Sequence, residues 1–326
     1  MNEQTAAPII LVTGKMMNHA IDRLEAHFRL LHIERADPAL VTGDMRSMVK
    51  GVAATTVIDA AFIDALPQLQ IIANFGVGYD KIDAEHAARK GVMVTNTPDV
   101  LTEEVADVAI GLLINTVREL PKAENWLRSG RWRAEGSYPL TRATLRGRSV
   151  GIFGLGRIGR AVARRLEAFG LPVSYHGRRR AEDVEYAYYP TLVALAEAVD
   201  TLICIAPGGA ATRHAVDATV LRALGANGVI INMGRGSTVD EEALAAALRE
   251  GTILAAGLDV FAEEPNVPEA LLSSPNACLL PHVASASVHT RQGMAELMVD
   301  NLVAWFTRGT PLTPVAETAH LKSTGG

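Results

Sequence analysis

At 326 residues with 48% hydrophobic content, the chain can bury a sizeable core and exceeds the usual single-domain length, so two domains are expected. Its 36 acidic residues outweigh 31 basic ones for a net charge of −5, which excludes a general attraction to nucleic acid or anionic membrane and makes any local basic patch informative. The two cysteines, Cys204 and Cys278, lie far apart inside the apolar runs TLICIA and ACLLP, a spacing that fits neither a disulfide framework nor a metal site.

The first eight residues, MNEQTAAP, lack the basic and apolar regions of a secretory signal, and no apolar run approaches the ~18 residues of a membrane span. A soluble cytoplasmic protein is expected. Short apolar runs then alternate with helical patterns: PIILVT, the helical HAIDRLEAHFRL, then VAATT, LQIIANF and GVMVTN. This rhythm predicts βαβ units and a parallel sheet. Thr97-Pro98-Asp99 breaks it, and a long helix follows with Val105, Val108, Ala109 and Leu112 at i, i+3, i+4, i+7 spacing, which we read as a domain crossing. A loop rich in Trp, Arg and Gly, residues 126–148, leads to six further strand-like runs: SVGIF, PVSYH, TLICI, GVIINM, AAGLDV and ACLLP. Beyond Pro281 a helix is predicted from Thr290 to Thr307, and the polar tail AETAHLKSTGG is expected to fray. Because the first sheet otherwise lacks a closing helix, that last helix is expected to return to it. The fold class is therefore α/β, with two domains that are each an open parallel sheet flanked by helices: residues 1–98 plus 288–326, and residues 99–287.

Gly154-Leu155-Gly156-Arg157-Ile158-Gly159 directly follows the strand SVGIF and opens the helical RAVARRLEAF. A GxGxxG in that context predicts a dinucleotide site. The first glycine permits the tight turn, the second admits a pyrophosphate, and the third lets helix pack on strand, while the N–H groups at the helix start face the phosphates. In NAD-binding sheets an acidic residue about 20 positions on holds the ribose 2′-hydroxyl. Here the second strand runs into Gly177-Arg178-Arg179-Arg180 with no carboxylate between Val173 and Arg180. Guanidinium groups grip a 2′-phosphate through charge-assisted bonds, so the sequence points to NADP(H), with Arg178 and then Arg179 as the first candidates.

Three more polar residues follow strand-like runs: Arg235 in NMGRGSTVDEEAL, Glu264 in GLDVFAEEP and His282 in CLLPHVASAS. Ligands of open α/β sheets bind beyond the carboxyl ends of strands. Singly, each has a plainer reading: a surface ion-pair partner for Arg235, a turn residue before proline for Glu264, a loop-edge histidine for His282. Their joint appearance is harder to explain that way. An Arg fork suits a planar carboxylate beside a carbonyl, and an imidazole suits proton donation to the oxyanion that hydride transfer creates.

With these residues in hand, the chain resembles the D-isomer-specific 2-hydroxyacid dehydrogenases, nearest the glyoxylate, hydroxypyruvate and hydroxyphenylpyruvate reductase branch. The resemblance runs from about Ile9 to Val315 through NFGVGYDKID, NTPDVLTEEVADVAIGLL, VGIFGLGRIGRAVARRLEAF, INMGRGSTVDEEALAAAL, AAGLDVFAEEPNVP and LLPHVASAS. It implies a flavodoxin-like substrate domain beside a Rossmann NADP-binding domain, and NADPH-dependent reduction of a small 2-keto acid to the D-2-hydroxy acid. In that reading Arg235 clamps the substrate, His282 is the acid/base and Glu264 its carboxylate partner. Val77 and Gly78, in the loop Gly76-Val77-Gly78, meet the substrate carboxylate together with Arg235 and His282. The cofactor contacts implied are Gly154, Leu155, Gly156, Arg157, Ile158, Gly177, Arg178, Arg179, Ile205, Pro207, Met233, Gly234 and Asp259, with no metal. The resemblance also implies a homodimer whose interface includes the helix after Thr102 and the 126–148 loop. A bulkier keto acid such as hydroxyphenylpyruvate, or a non-catalytic nucleotide-sensing scaffold, are the alternatives, and Met16 and Met17 are candidates to line the substrate side chain. Two positions depart from the family pattern: Gly208-Gly209, where relatives often carry Leu-Thr, and Ala284, where Gly is frequent.

Overall fold

The computed structural model describes residues 7–322; positions 1–6 of the expected leaderless start and 323–326 of the tail fall outside it. The chain forms two compact units, Met1–Leu101 with Ser287–Gly326, and Thr102–Ala286. The divisions fall after Leu101 and Ala286, against the expected positions after residues 98 and 287.

The first unit runs β1 (Ile9–Thr13), α1 (Asn18–Glu25), β2 (Arg29–Ile33), α2 (Gly43–Met48), β3 (Val49–Ala54), α3 (Ala60–Asp64), β4 (Ile71–Asn74), α4 (Ala84–Arg89) and β5 (Met93–Thr95). Its five strands pair in parallel in the order β2-β1-β3-β4-β5. Both faces are covered, which is why the strands read as continuous apolar runs rather than alternating ones. Ile9 and Leu11 enter one core with Val52, Phe62 and Leu66, while Ile10 and Val12 enter the other with Leu24 and three residues from the far end of the chain, Met298, Leu302 and Trp305. Those three lie on the last helix, Val288–Arg308, which thus closes the first sheet.

Two segments differ from expectation. The helix predicted over HAIDRLEAHFRL stops at Glu25, and Arg29–Ile33 pairs with β1 as an edge strand. Leu24, Phe28 and Leu31 imitate a helical spacing, but the backbone turns at His27 and Phe28 and Arg29 donates to the carbonyl of Pro8 instead. The tail does not fray over its described part. Pro314 bridges Thr95 in antiparallel fashion, Val315 donates to the carbonyl of Val94, and the fully buried Thr318 both accepts from the Val94 N–H and donates to its carbonyl. The strap occupies the edge of β5 that would otherwise present unpaired backbone groups.

The second unit continues with α5 (Thr102–Arg118), α6 (Leu120–Arg128), α7 (Arg131–Glu135), β6 (Val150–Phe153), α8 (Arg157–Ala168), β7 (Val173–His176), β8 (Ala187–Tyr188), α9 (Leu192–Ala198), β9 (Thr201–Cys204), α10 (Ala218–Leu224), β10 (Val229–Asn232), α11 (Glu241–Glu250), β11 (Ala255–Leu258), α12 (Glu269–Leu272) and β12 (Ala277–Leu279); the helix Val288–Arg308 is α13. Seven strands pair in parallel in the order β12-β11-β10-β9-β6-β7-β8. Six are expected from the sequence. β8 is only two residues long, too short for a periodicity, and exists because Ala187 and Tyr188 pair with Ser174 and Tyr175. The 126–148 segment, expected as loop, carries the end of α6 and all of α7, both closed by glycines at positive φ or a following turn, Gly130 and Gly136.

Candidate active site

In the second unit the glycine turn joins β6 to α8. Gly154 has φ +101°, and a Cβ there would lie 2.7 Å from the Ala206 nitrogen. A Cβ on Gly159 would strike the Gly154 carbonyl, so that glycine seats the helix on the turn. At Gly156 an added Cβ would meet nothing within 4 Å, and α8 starts there with no side-chain cap. Open space beside an uncapped helix start fits a pyrophosphate. The Ile205 N–H donates to the Phe153 carbonyl, the Met233 N–H to the Cys204 carbonyl, and Gly234 packs on the Ala206 carbonyl. Gly154, Leu155, Ile205, Pro207, Met233 and Gly234 are thus brought together at the carboxyl ends of β6, β9 and β10.

The arginine run is anchored to the same turn. Gly154 donates to the carbonyl of His176, whose ring stacks on Phe153 at 5.6 Å between centroids and is held through Nδ1 by the Tyr189 carbonyl at 2.8 Å. Beyond Gly177, Arg178, Arg179 and Arg180 are exposed, and none has a hydrogen-bond or ion-pair partner among the described residues. The nearby acid, Asp183, pairs with Arg160 at 2.8 Å, and that guanidinium holds its carboxyl below the usual range.

Arg235 follows β10 in a turn built by its neighbours. Asn232, buried, donates through Nδ2 to the Arg235 carbonyl at 2.9 Å and accepts from the Gly234 N–H at 3.1 Å, and Thr238 donates to the same Arg235 carbonyl at 2.7 Å. Gly236 lies directly against the Phe261–Ala262 peptide, where no Cβ fits. Glu241 accepts the Ala262 N–H at 2.8 Å. The Arg235 turn and the loop carrying Glu264 are therefore joined. One Glu264 oxygen accepts the Phe261 N–H at 3.1 Å and the other meets His282 Nδ1 at 2.8 Å. A carboxylate on Nδ1 fixes the ring orientation and the tautomer with Nδ1 protonated, leaving Nε2, which has no partner among the described residues, to exchange a proton.

His282 sits at φ +52°, a conformation that a non-glycine residue keeps only when its surroundings impose it. Asp259, 1% exposed, imposes it: its carbonyl accepts the His282 N–H at 2.8 Å and its two carboxylate oxygens accept the N–H groups of Val283 at 2.7 Å and Ala284 at 3.0 Å. Burial pushes the Asp259 carboxyl up, opposed by those two bonds. Asp259, expected among the cofactor contacts, uses its carboxylate in shaping the histidine turn. Asp259→Ala would strand the buried Ala284 N–H and the half-buried Val283 N–H, an unpaired buried N–H being worth about 1–3 kcal/mol. A destabilisation of roughly 2–5 kcal/mol by urea unfolding is expected, with a loss of turnover. Ala284, a departure from the family pattern, is buried in the same turn, and Gly209 at φ +124° shows why the other departure is a glycine.

An apolar pocket of about 320 Å³ opens beside Glu264 and His282, lined by Phe261, Val267, Leu272, Leu279 and Leu280. In the first unit, Gly76, Val77 and Gly78 form a half-buried loop after β4, and their N–H groups have no acceptor among the described residues. Met16 and Met17 follow β1 and pack in part on the core beneath it. Asn232 and Glu241 went unread in the sequence. An Asn that ends a strand run just before a glycine turn, as in INMGRG, was the available signal.

A doubly wound sheet with a glycine turn at its central strand and a carboxylate-paired histidine at a strand end defines a nucleotide-dependent α/β oxidoreductase. The chain belongs to the D-isomer specific 2-hydroxyacid dehydrogenases: the model of that family's NAD binding domain matches residues 110–284. The chain is 46% identical over 309 residues to a glyoxylate/hydroxypyruvate reductase A of Arabidopsis thaliana, covering 94% of this chain and 98% of the relative. It is 44% identical over 311 residues to a hydroxyphenylpyruvate reductase of Plectranthus scutellarioides, with coverage of 94% and 98%. A crystal structure of an NADPH-dependent glyoxylate/hydroxypyruvate reductase from Sinorhizobium meliloti, in complex with NADP and malonate, superposes with a TM-score of 0.94 at 62% identity, covering 96% of this chain and 98% of that one.

Proposed function

We propose that the protein reduces small 2-keto acids, glyoxylate or hydroxypyruvate, to D-2-hydroxy acids with NADPH. The observation that carries this reading is the Glu264–His282 pair, held at 2.8 Å with Nε2 left over. The reduced nicotinamide, when bound, supplies the hydride. His282 donates the proton from Nε2 to the former keto oxygen, Glu264 holds the ring and balances its charge, and the Arg235 fork grips the substrate carboxylate. The loop Gly76-Val77-Gly78 of the first unit carries backbone N–H donors of the kind that bind a carboxylate. NADPH oxidation across glyoxylate, hydroxypyruvate, pyruvate and hydroxyphenylpyruvate, with chiral analysis of the products, tests the reading; turnover of none of them, or an L product, overturns it.

A second reading, reduction of an aromatic keto acid, is favoured by the apolar pocket beside His282 and by the hydroxyphenylpyruvate reductase likeness. The same panel separates the two by the ratio of kcat/KM for the aromatic and the two-carbon acid. We also infer a homodimer, supported by large apolar side chains exposed along 120–140: Leu127 at 55%, Trp132 at 60% and Leu140 at 98%.

Arg235→Lys keeps the charge and loses the fork. One charge-assisted bond is worth about 1.5–3 kcal/mol, so kcat/KM is expected to fall about 10–100-fold. Retained efficiency would place the carboxylate clamp elsewhere.

A further inference from the structure

The Gly76–Gly78 loop is unusual in the way its carbonyl groups are used. Asn74, the last residue of β4, donates through Nδ2 to the carbonyl of Gly76 at 3.0 Å and to that of Gly78 at 3.0 Å. Asn96, just past β5, donates through Nδ2 to the carbonyl of Val77 at 2.7 Å, and the Thr97 N–H adds a bond to the Gly76 carbonyl at 3.0 Å. Every partner of these amide nitrogens is a carbonyl oxygen, which fixes the orientation of both side-chain amides. All three loop carbonyls are thus bonded inward, while the N–H groups of the same three residues find no acceptor among the described residues. A peptide carbonyl and the following N–H point in opposite directions, so tying down the Gly76 and Val77 carbonyls presents the N–H groups of Val77 and Gly78.

Asn96 is itself held by the C-terminal strap. Its N–H donates to the Thr313 carbonyl at 3.3 Å, and the Thr313 hydroxyl donates to the Asn96 carbonyl at 2.6 Å. Asn301, fully buried in α13, donates to that hydroxyl oxygen at 2.8 Å and accepts the N–H groups of Leu312 and Thr313, both at 2.9 Å. The relay from Asn301 through Thr313 and Asn96 to Val77 makes the loop a preformed anion receptor, set before any ligand arrives.

We propose that Asn74 and Asn96 are positioning residues for the substrate carboxylate, acting by holding the carbonyls of Gly76, Val77 and Gly78 away from it. The proposal rests on the keto-acid reading above. Asn74→Asp keeps the shape and removes both donors, setting a carboxylate against two carbonyl oxygens; Asn96→Ser withdraws the donor from Val77 and carries the same test should the first variant fail to fold. For either variant, KM for glyoxylate is expected to rise about tenfold or more with kcat changed less than about threefold, the pattern of a lost interaction common to ground and transition states. KM for NADPH should not move. Calorimetric titration of the NADPH-loaded protein with oxamate, a non-reacting 2-oxo carboxylate mimic, should show Kd rising in parallel. If the wild type binds oxamate and the variants bind it more weakly, yet no keto acid turns over, the positioning role stands and the assigned reaction falls. Unchanged KM and oxamate Kd in the variants, a fall in kcat alone, or no oxamate binding by the wild type would overturn the proposal.

Discussion

His282→Ala is expected to lower kcat for keto-acid reduction by about 10²–10⁴-fold, the range that general acid catalysis supplies. The proton is needed only as the oxyanion forms, so the loss belongs to the transition state, and binding of the dinucleotide should survive. The ring is not part of the glycine turn, and its one side-chain partner among the described residues is Glu264, so its removal leaves the β6–α8 junction intact. Alanine also relieves little of the backbone constraint, because φ +52° is imposed by Asp259 through main-chain bonds that the variant keeps. Stopped-flow or steady-state measurement of kcat, with NADPH affinity by fluorescence, checks both halves. Near-normal turnover would remove His282 from the chemistry.

Replacing Arg178 and Arg179 together with alanine is expected to raise KM for NADPH by at least about tenfold while leaving KM for NADH nearly unchanged. The two cofactors differ only in the 2′-phosphate, and no described residue competes for these guanidinium groups. Two charge-assisted bonds at about 1.5–3 kcal/mol each set an upper range of several orders of magnitude, which exposure and salt reduce. Asp183, a carboxylate that could repel the phosphate, is neutralised by Arg160. The expected signature is therefore a collapse of the NADPH/NADH ratio in the double variant, and a wild-type NADPH affinity that weakens with salt faster than that for NADH. Equal wild-type use of both cofactors, or unchanged NADPH affinity in the variant, would reduce the run to a solvated turn.

What was legible in the sequence followed from local rules. The glycine turn needs three residues without side chains at fixed spacing, and such a pattern survives in one dimension. Arg235, Glu264 and His282 could be read because each ends an apolar run. The 2.8 Å pairing of the last two follows from loop closure, and no spacing of 18 residues encodes it. β2 was missed because Leu24, Phe28 and Leu31 satisfy a helical period across an element boundary, and β8 because two residues carry no period at all. The polar tail looked like solvent-facing chain, yet Thr318 has no exposure, its hydroxyl being spent on the backbone of Val94. Asn74, Asn96 and Asn232 share this history: each closes a strand beside a Gly or Pro turn, and each is meaningful only through carbonyls that tertiary structure brings near.

The return of α13 to the first sheet sets an order of events during synthesis. The second unit is one unbroken stretch, 102–286, and has its whole core once that stretch has emerged. The first unit has all five strands by Thr95, but the face that α1 covers in part awaits Met298, Leu302 and Trp305 until α13 follows, about two hundred residues later. At about 5–20 residues per second that interval is roughly 10–40 s on the ribosome. For that time the nascent chain carries an apolar sheet face covered only in part, by α1, and an unstrapped β5 edge, so the N-terminal unit, first to be made, is the last to be finished.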